Sequence, residues 1–111
     1  MSESEFEAVV TRSDDGSVIE LKGVVNRGAK EGMEAAFEEA SAAPGEIRLD
    51  FGDVEYINST GIAVIVGVLA MARAEDRQVG AFGLSDHYRE VFQITRLSDF
   101  MNIYEDANGP S

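Results

Sequence analysis

The sequence predicts an α/β fold: one domain over residues 1–107, on a mixed sheet of about four strands packed with three to four helices, followed by a short flexible tail at 108–111. Three observations carry this expectation. Apolar residues alternate with polar ones at the start of the chain and again around residues 47–51, the period of a strand. Between those stretches, and after them, apolar residues recur at steps of three and four, the period of a helix. No repeat, linker or low-complexity segment interrupts the 111 residues, a length typical of one domain with one core.

The elements follow in order. Phe6, Ala8 and Val10 alternate with Glu7, Val9 and Thr11, Asp14-Asp15-Gly16 marks a tight turn, and Ile19 and Leu21 resume the alternation, which reads as an antiparallel hairpin. Asn26 is placed to cap a helix carrying Ala29, Met33, Ala36, Phe37 and Ala40 on one face and Glu31, Glu34, Glu38 and Glu39 on the other. Pro44-Gly45 ends that helix. Ile47, Leu49 and Phe51 then line one face of a strand, and residues 52–59 read as a loop or short extended stretch. The run Gly61 to Ala72 is rich in β-branched residues, but its twelve uninterrupted apolar positions are too many for an ordinary strand and predict a helix. Val79, Ala81 and Phe82 suggest another short strand. Ser85 or Asp86 caps a last helix with Tyr88, Val91 and Phe92 inward, and Leu97, Phe100 and Ile103 close the core.

Composition excludes several classes of function. Twenty-one acids against nine scattered bases give a formal charge of -12, a field that repels phosphate backbones and argues against nucleic-acid binding. Without cysteine there is no disulfide framework, thiolate metal site or cysteine nucleophile. The opening Met1 to Glu7 is acidic and polar where a secretory signal is basic and then apolar, and the twelve-residue apolar run is well short of the roughly 20 residues of a membrane span. A cytoplasmic address without membrane attachment is expected. The single histidine, His87, falls in the first turn of a surface helix with no nucleophile elbow to serve, and no phosphate-binding glycine motif is present. Acid pairs such as Asp14-Asp15 and Asp50-x-x-Asp53 lack ligand spacing, so no cofactor or metal is expected.

What remains is Tyr56-Ile57-Asn58-Ser59-Thr60-Gly61-Ile62, at the junction between a strand region and the apolar helix. Asn58, Ser59 and Thr60 are all competent N-caps, and on local sequence alone Ser59 reads as the cap. Downstream, Ala63, Gly67, Ala70 and Ala74 form a stripe of small residues, which serves either tight packing on a neighbouring helix or a docking face. Together with Leu49-Asp50-Phe51-Gly52-Asp53-Val54, Gly80-Ala81-Phe82-Gly83-Leu84 and Val91-Phe92-Gln93-Ile94-Thr95-Arg96-Leu97, in that order, the segment resembles the STAS domain of anti-sigma factor antagonists.

The resemblance implies a non-enzymatic regulator. In that family the serine of the central motif is phosphorylated by an anti-sigma factor that is also a kinase, and that position here is Ser59. The unphosphorylated form would bind the kinase and free the sigma factor, and a PP2C-type phosphatase would reset it. Asn58, Thr60, Gly61, Ala63, Gly67 and Asn26 would flank the phosphosite or contact the partner, and homodimerisation is left open. Two positions depart from the family pattern: an acid is usual where this chain has Asn58, and a second acid where it has Asn26. These departures favour the alternative of an unphosphorylated STAS scaffold, or a regulatory subunit of a larger, for example transporter-linked, assembly. An enzyme reading lacks any motif.

Overall fold

The computed structural model describes residues 6–105, so the tail expected at 108–111 lies outside the described residues. Strands β1 (Glu7–Ser13) and β2 (Gly16–Val25) form the predicted hairpin, with Val10 opposite Ile19. Gly16 sits at φ 148, a backbone conformation that favours glycine. Helix α1 (Lys30–Ser41), strand β3 (Glu46–Ile57), helix α2 (Ser59–Ala74), strand β4 (Val79–Phe82), helix α3 (Asp86–Ile94) and strand β5 (Asn102–Ile103) follow. The sheet order is β1-β2-β3-β4-β5, antiparallel at the first pair and parallel thereafter.

One face of this sheet carries the core. Ile19, Leu21 and Val25 of β2, Ile47, Leu49 and Phe51 of β3, and Val79 and Ala81 of β4 are buried. Met33, Ala36, Phe37 and Ala40 of α1 pack in the same core, as do Val64, Ile65, Val68 and Ala72 of α2. Helix α3 joins it through Phe92, whose ring meets Phe51 edge-on at 5.6 Å. Arg77 closes the α1–β3 connection by donating to the carbonyls of Ser41, Ala43 and Gly45 at 2.6–2.9 Å. It thereby satisfies acceptors that the end of a helix leaves open.

The structure departs from the sequence expectation in three places. Strand β3 runs to Ile57 rather than stopping at Phe51: beyond Asp50 it keeps β2 as its partner and loses β4, and most of its side chains there are exposed, so the alternation fades. Asn26 caps a single 3-10 turn, Arg27–Ala29, that leads into α1 rather than the helix itself. Phe100 does not close the core: it is 55% exposed beneath the Arg73 guanidinium, and Met101 takes the inward position.

The fifth strand has only two residues, too few to show a period. Its pairing with β4, including Tyr104 N donating to the Ala81 carbonyl at 2.8 Å, is reinforced by side chains. Glu46 on β3 accepts from Asn102 Nδ2 (2.9 Å), Tyr104 Oη (2.8 Å) and Arg48 Nε (2.9 Å), and the Arg48 guanidinium lies over the Tyr104 ring. Burial pushes the Glu46 carboxyl upward, but the hydrogen bonds from Asn102, Arg48 and Tyr104, with the charge of Arg48, outweigh it and leave the group below its ordinary value of 4.5. A carboxyl depressed in the folded state stabilises above its unfolded pKa, and that contribution disappears as pH falls through the folded value. Glu46→Gln should therefore lower stability by about 1 kcal/mol at pH 7, with the deficit shrinking toward pH 3, in urea unfolding at the two pH values. A deficit that is constant with pH would contradict this account.

Candidate functional site

The site grows from the ends of two adjacent strands. Strands β2 and β3 run parallel and finish in register, Val25 beside Ile57, so the residues that follow, Asn26 and Asn58, begin neighbouring loops. Both are extended and both act as caps. Asn26 Oδ1 accepts from Gly28 N at 2.8 Å, and Asn58 Oδ1 accepts from Gly61 N at 2.8 Å. Asparagine and aspartate rank together at this position because each offers the same oxygen to the orphan amides. The two departures from the acidic family pattern thus keep the capping acceptor and lose only the charge.

Thr60 joins the loops. Its hydroxyl donates to Asn58 Oδ1 at 2.7 Å and accepts from the backbone N–H of Arg27 at 3.1 Å, while Asn58 N donates to the Val25 carbonyl at 3.2 Å. Gly61 lies on the buried side of α2, where an added Cβ would sit 2.6 Å from the Val25 carbonyl carbon and closer still to its oxygen. Gly61, expected to flank the phosphosite or contact the partner, is a point of close approach between helix and strand. Ser59 differs from its neighbours. As the first residue of α2 it is exposed, and its hydroxyl has no hydrogen-bond partner among the described residues. Of three residues able to cap, Asn58 caps, Thr60 bridges and Ser59 is left over, so the capping role read from local sequence belongs to Asn58.

The stripe of small residues also finds its place. Ala63, Gly67, Ala70 and Ala74 are all exposed, as is Val66 beside them, and a Cβ at Gly67 would meet nothing within 4 Å. Steps of four, four, three and four from Ser59 place the serine at the head of this stripe. Packing on a helix within the domain does not account for these residues; α2 turns Val64, Ile65, Val68 and Ala72 inward and the small residues out.

Sequence reasoning missed one participant. Tyr88 of α3, expected as an inward apolar residue, is half-buried, and its hydroxyl accepts from the backbone N–H of Ile57 at 2.9 Å, fixing the end of β3 directly before Asn58. Its partner is 31 residues away, so a tyrosine in place of phenylalanine was the only available signal. His87 is exposed, its ring 4.8 Å from that of Tyr88, and Ser85 rather than Asp86 caps α3. Among the described residues no group of three or more acids or histidines could hold a metal ion, and no helix is long and apolar enough to cross a membrane.

Comparison with known proteins settles the family. The profile described as "Mlab, STAS domain" matches residues 8–103. The chain belongs to the STAS-domain family of anti-sigma factor antagonists. Over 97 residues, 85% of this STAS chain and 80% of the other, it is 38% identical to BtrV of Bordetella bronchiseptica, whose name assigns it provisionally to the anti-sigma factor antagonists. It is also 38% identical over 66 residues to the anti-sigma-B factor antagonist of Listeria monocytogenes, a match spanning 57% of this chain and 58% of that relative's length. Among solved structures, the unphosphorylated anti-sigma factor antagonist SpoIIAA has a TM-score of 0.68 at 20% identity, covering 94% of this chain and 91% of that one. An anti-sigma factor antagonist from Mycobacterium paratuberculosis has 0.74 at 17%, covering 94% and 89%. The phosphorylated form of Bacillus SpoIIAA has 0.66 at 22%, covering 94% and 95%. At these identities the structures speak for the STAS fold, five strands with helices against them.

Proposed function

We propose that this STAS domain is a phosphorylation-switched anti-sigma factor antagonist with Ser59 as its phosphoacceptor. The single observation that carries the reading is the division of labour at the start of α2: the hydroxyl of Ser59 is exposed and has no partner among the described residues, while that of Thr60 makes two hydrogen bonds. A kinase would lose nothing structural by taking the Ser59 proton. The Oγ attacks the γ-phosphorus of ATP, the proton passes to a base of the kinase, and ADP leaves. The product adds roughly -1.5 to -2 charge units at neutral pH beside the positive end of a sixteen-residue helix, where added negative charge is tolerated. The fold therefore survives while the docking surface gains negative charge.

In this reading the unmodified protein binds a serine kinase that is also an anti-sigma factor, using Ser59, Ala63 and Gly67 with the flanking Asn26, Asn58 and Thr60, and so frees the sigma factor. A PP2C-type phosphatase removes the phosphate. The domain itself is no enzyme, and a cytoplasmic address accords with partners that act on transcription. The existence of SpoIIAA in phosphorylated and unphosphorylated forms supports extending the switch to a chain of the same fold. A second reading, the constitutive STAS scaffold, draws on Asn26 and Asn58, whose amides give the loops no acidic charge. The two separate in one experiment. Intact-mass analysis after incubation with ATP and a switch kinase encoded beside the protein should show a single added phosphate on the wild type and none on Ser59→Ala. An unmodified wild type, with the kinase active on another substrate, would favour the scaffold.

A further inference from the structure

Resting on the phosphoacceptor reading of Ser59, the geometry points to Arg27 as the residue that receives the phosphate within the same molecule. Arg27 is exposed, and among the described residues its guanidinium has no ion pair, although the chain carries 21 acids. Lys30 is paired with Glu34, Arg48 with Glu46, Arg96 with Asp99, Arg77 with three carbonyls and Arg73 with the Phe100 ring, whereas Arg12, Lys22 and Arg89 share with Arg27 the lack of an ion pair among the described residues; what sets Arg27 apart is its place. The backbone of Arg27 is also tethered where the phosphate would form. Its N–H donates to Thr60 Oγ1 at 3.1 Å, and Thr60 adjoins Ser59, whose Cα lies about 3.8 Å from that of Thr60 along the chain. An arginine side chain starting there is long enough to reach a phosphate on Ser59 Oγ, and its planar fork suits bidentate pairing with phosphate oxygens.

The neutral Asn26 and Asn58 have a meaning in this arrangement. A carboxylate at either position would compete with the phosphate for the guanidinium; an amide oxygen engaged in capping does not. Arg27 is thus held in reserve beside Ser59. In the unmodified protein it is free to meet an acidic group on the partner. Once Ser59 is phosphorylated, it turns to the phosphate and is withdrawn from that contact, so one modification both adds a repulsive charge and removes an attractive one.

The test uses the full chain with phosphoserine installed at position 59 by genetic code expansion, so that it does not depend on any kinase. Phosphorus NMR titration then reads the second ionisation of the phosphate, which is about 6 in an unpaired phosphoserine. Pairing with Arg27 should lower it by about half a unit or more, because a nearby positive charge favours the dianion. Arg27→Gln should raise it again by that amount, leaving only the effect of the α2 N-terminus, and Arg27→Lys should fall between. Arg12→Gln, at the opposite end of the β1–β2 hairpin, should change nothing. Equal titration of wild type and Arg27→Gln, or an equal shift in Arg12→Gln, would overturn the assignment of Arg27. A chain that a kinase leaves unmodified, yet shows the Arg27-dependent shift once phosphoserine is installed, would sink only the phosphoacceptor reading.

Discussion

Replacing Gly61 with alanine is expected to lower stability by about 3 kcal/mol, a large effect for a single added methyl. The added carbon would enter the space of the Val25 carbonyl, and that carbonyl cannot simply retreat. It accepts from Asn58 N at 3.2 Å, and Val25 is locked in register with Ile57. Either α2 tilts away from the sheet, opening the packing of Val64, Ile65 and Val68, or the paired ends of β2 and β3 separate. Gly67→Ala supplies the contrast on the same helix. Nothing lies within 4 Å of its added carbon, and mid-helix alanine is favoured over glycine, so this variant should gain about 0.5–1 kcal/mol. Urea unfolding of the pair measures both. Equal midpoints would mean that the close approach of α2 to Val25 does not constrain the fold.

That contrast marks what the sequence could and could not disclose. The two glycines look alike in the run from Gly61 to Ala72, and the sequence offers both as residues that flank the phosphosite or contact the partner; only the three-dimensional approach of β2, more than thirty residues earlier, tells them apart. Where a signal is periodic it was legible: the hairpin, both faces of α1 and the inward Phe92 follow from spacing alone. Where order depends on distant partners it was not. The outer half of β3 has β2 on one side only, β5 is held by β4 and the Glu46 hydrogen bonds rather than by its own pattern, and Phe100 yields the core to its neighbour Met101. The site shows the same split. Three consecutive cap-competent residues announced a helix start, yet which one capped depended on loops meeting across β2 and β3. The assignment of Asn58 as cap and Thr60 as bridge is what leaves Ser59 available.

Phosphorylation of Ser59 is expected to weaken binding to the switch kinase by about 30- to 100-fold, roughly 2–3 kcal/mol, with the fold unchanged. The size follows from where the charge would be placed. Ser59 heads an exposed stripe in which Ala63, Gly67, Ala70 and Ala74 carry little or no side chain, so a docking surface can approach the helix backbone closely and exclude water. A dianion introduced at the edge of such a contact loses hydration that the partner was never shaped to replace, and the cost of an unpaired desolvated charge runs to several kcal/mol. Pairing with Arg27 reduces that penalty without cancelling it, because the pair still occupies the space of a bare hydroxyl. Ser59→Asp brings one charge and two oxygens in place of the phosphate and should lose about tenfold, whereas Ser59→Ala, which removes only a hydroxyl with no partner among the described residues, should bind within about twofold of wild type. Calorimetric titration of the kinase with the three proteins reads these ratios, and matched unfolding midpoints show that the fold is not the cause. If the aspartate and phosphoserine forms bound as tightly as alanine, the docking surface would have to lie away from the head of α2, and the exposure of the small-residue stripe would need another partner to explain it.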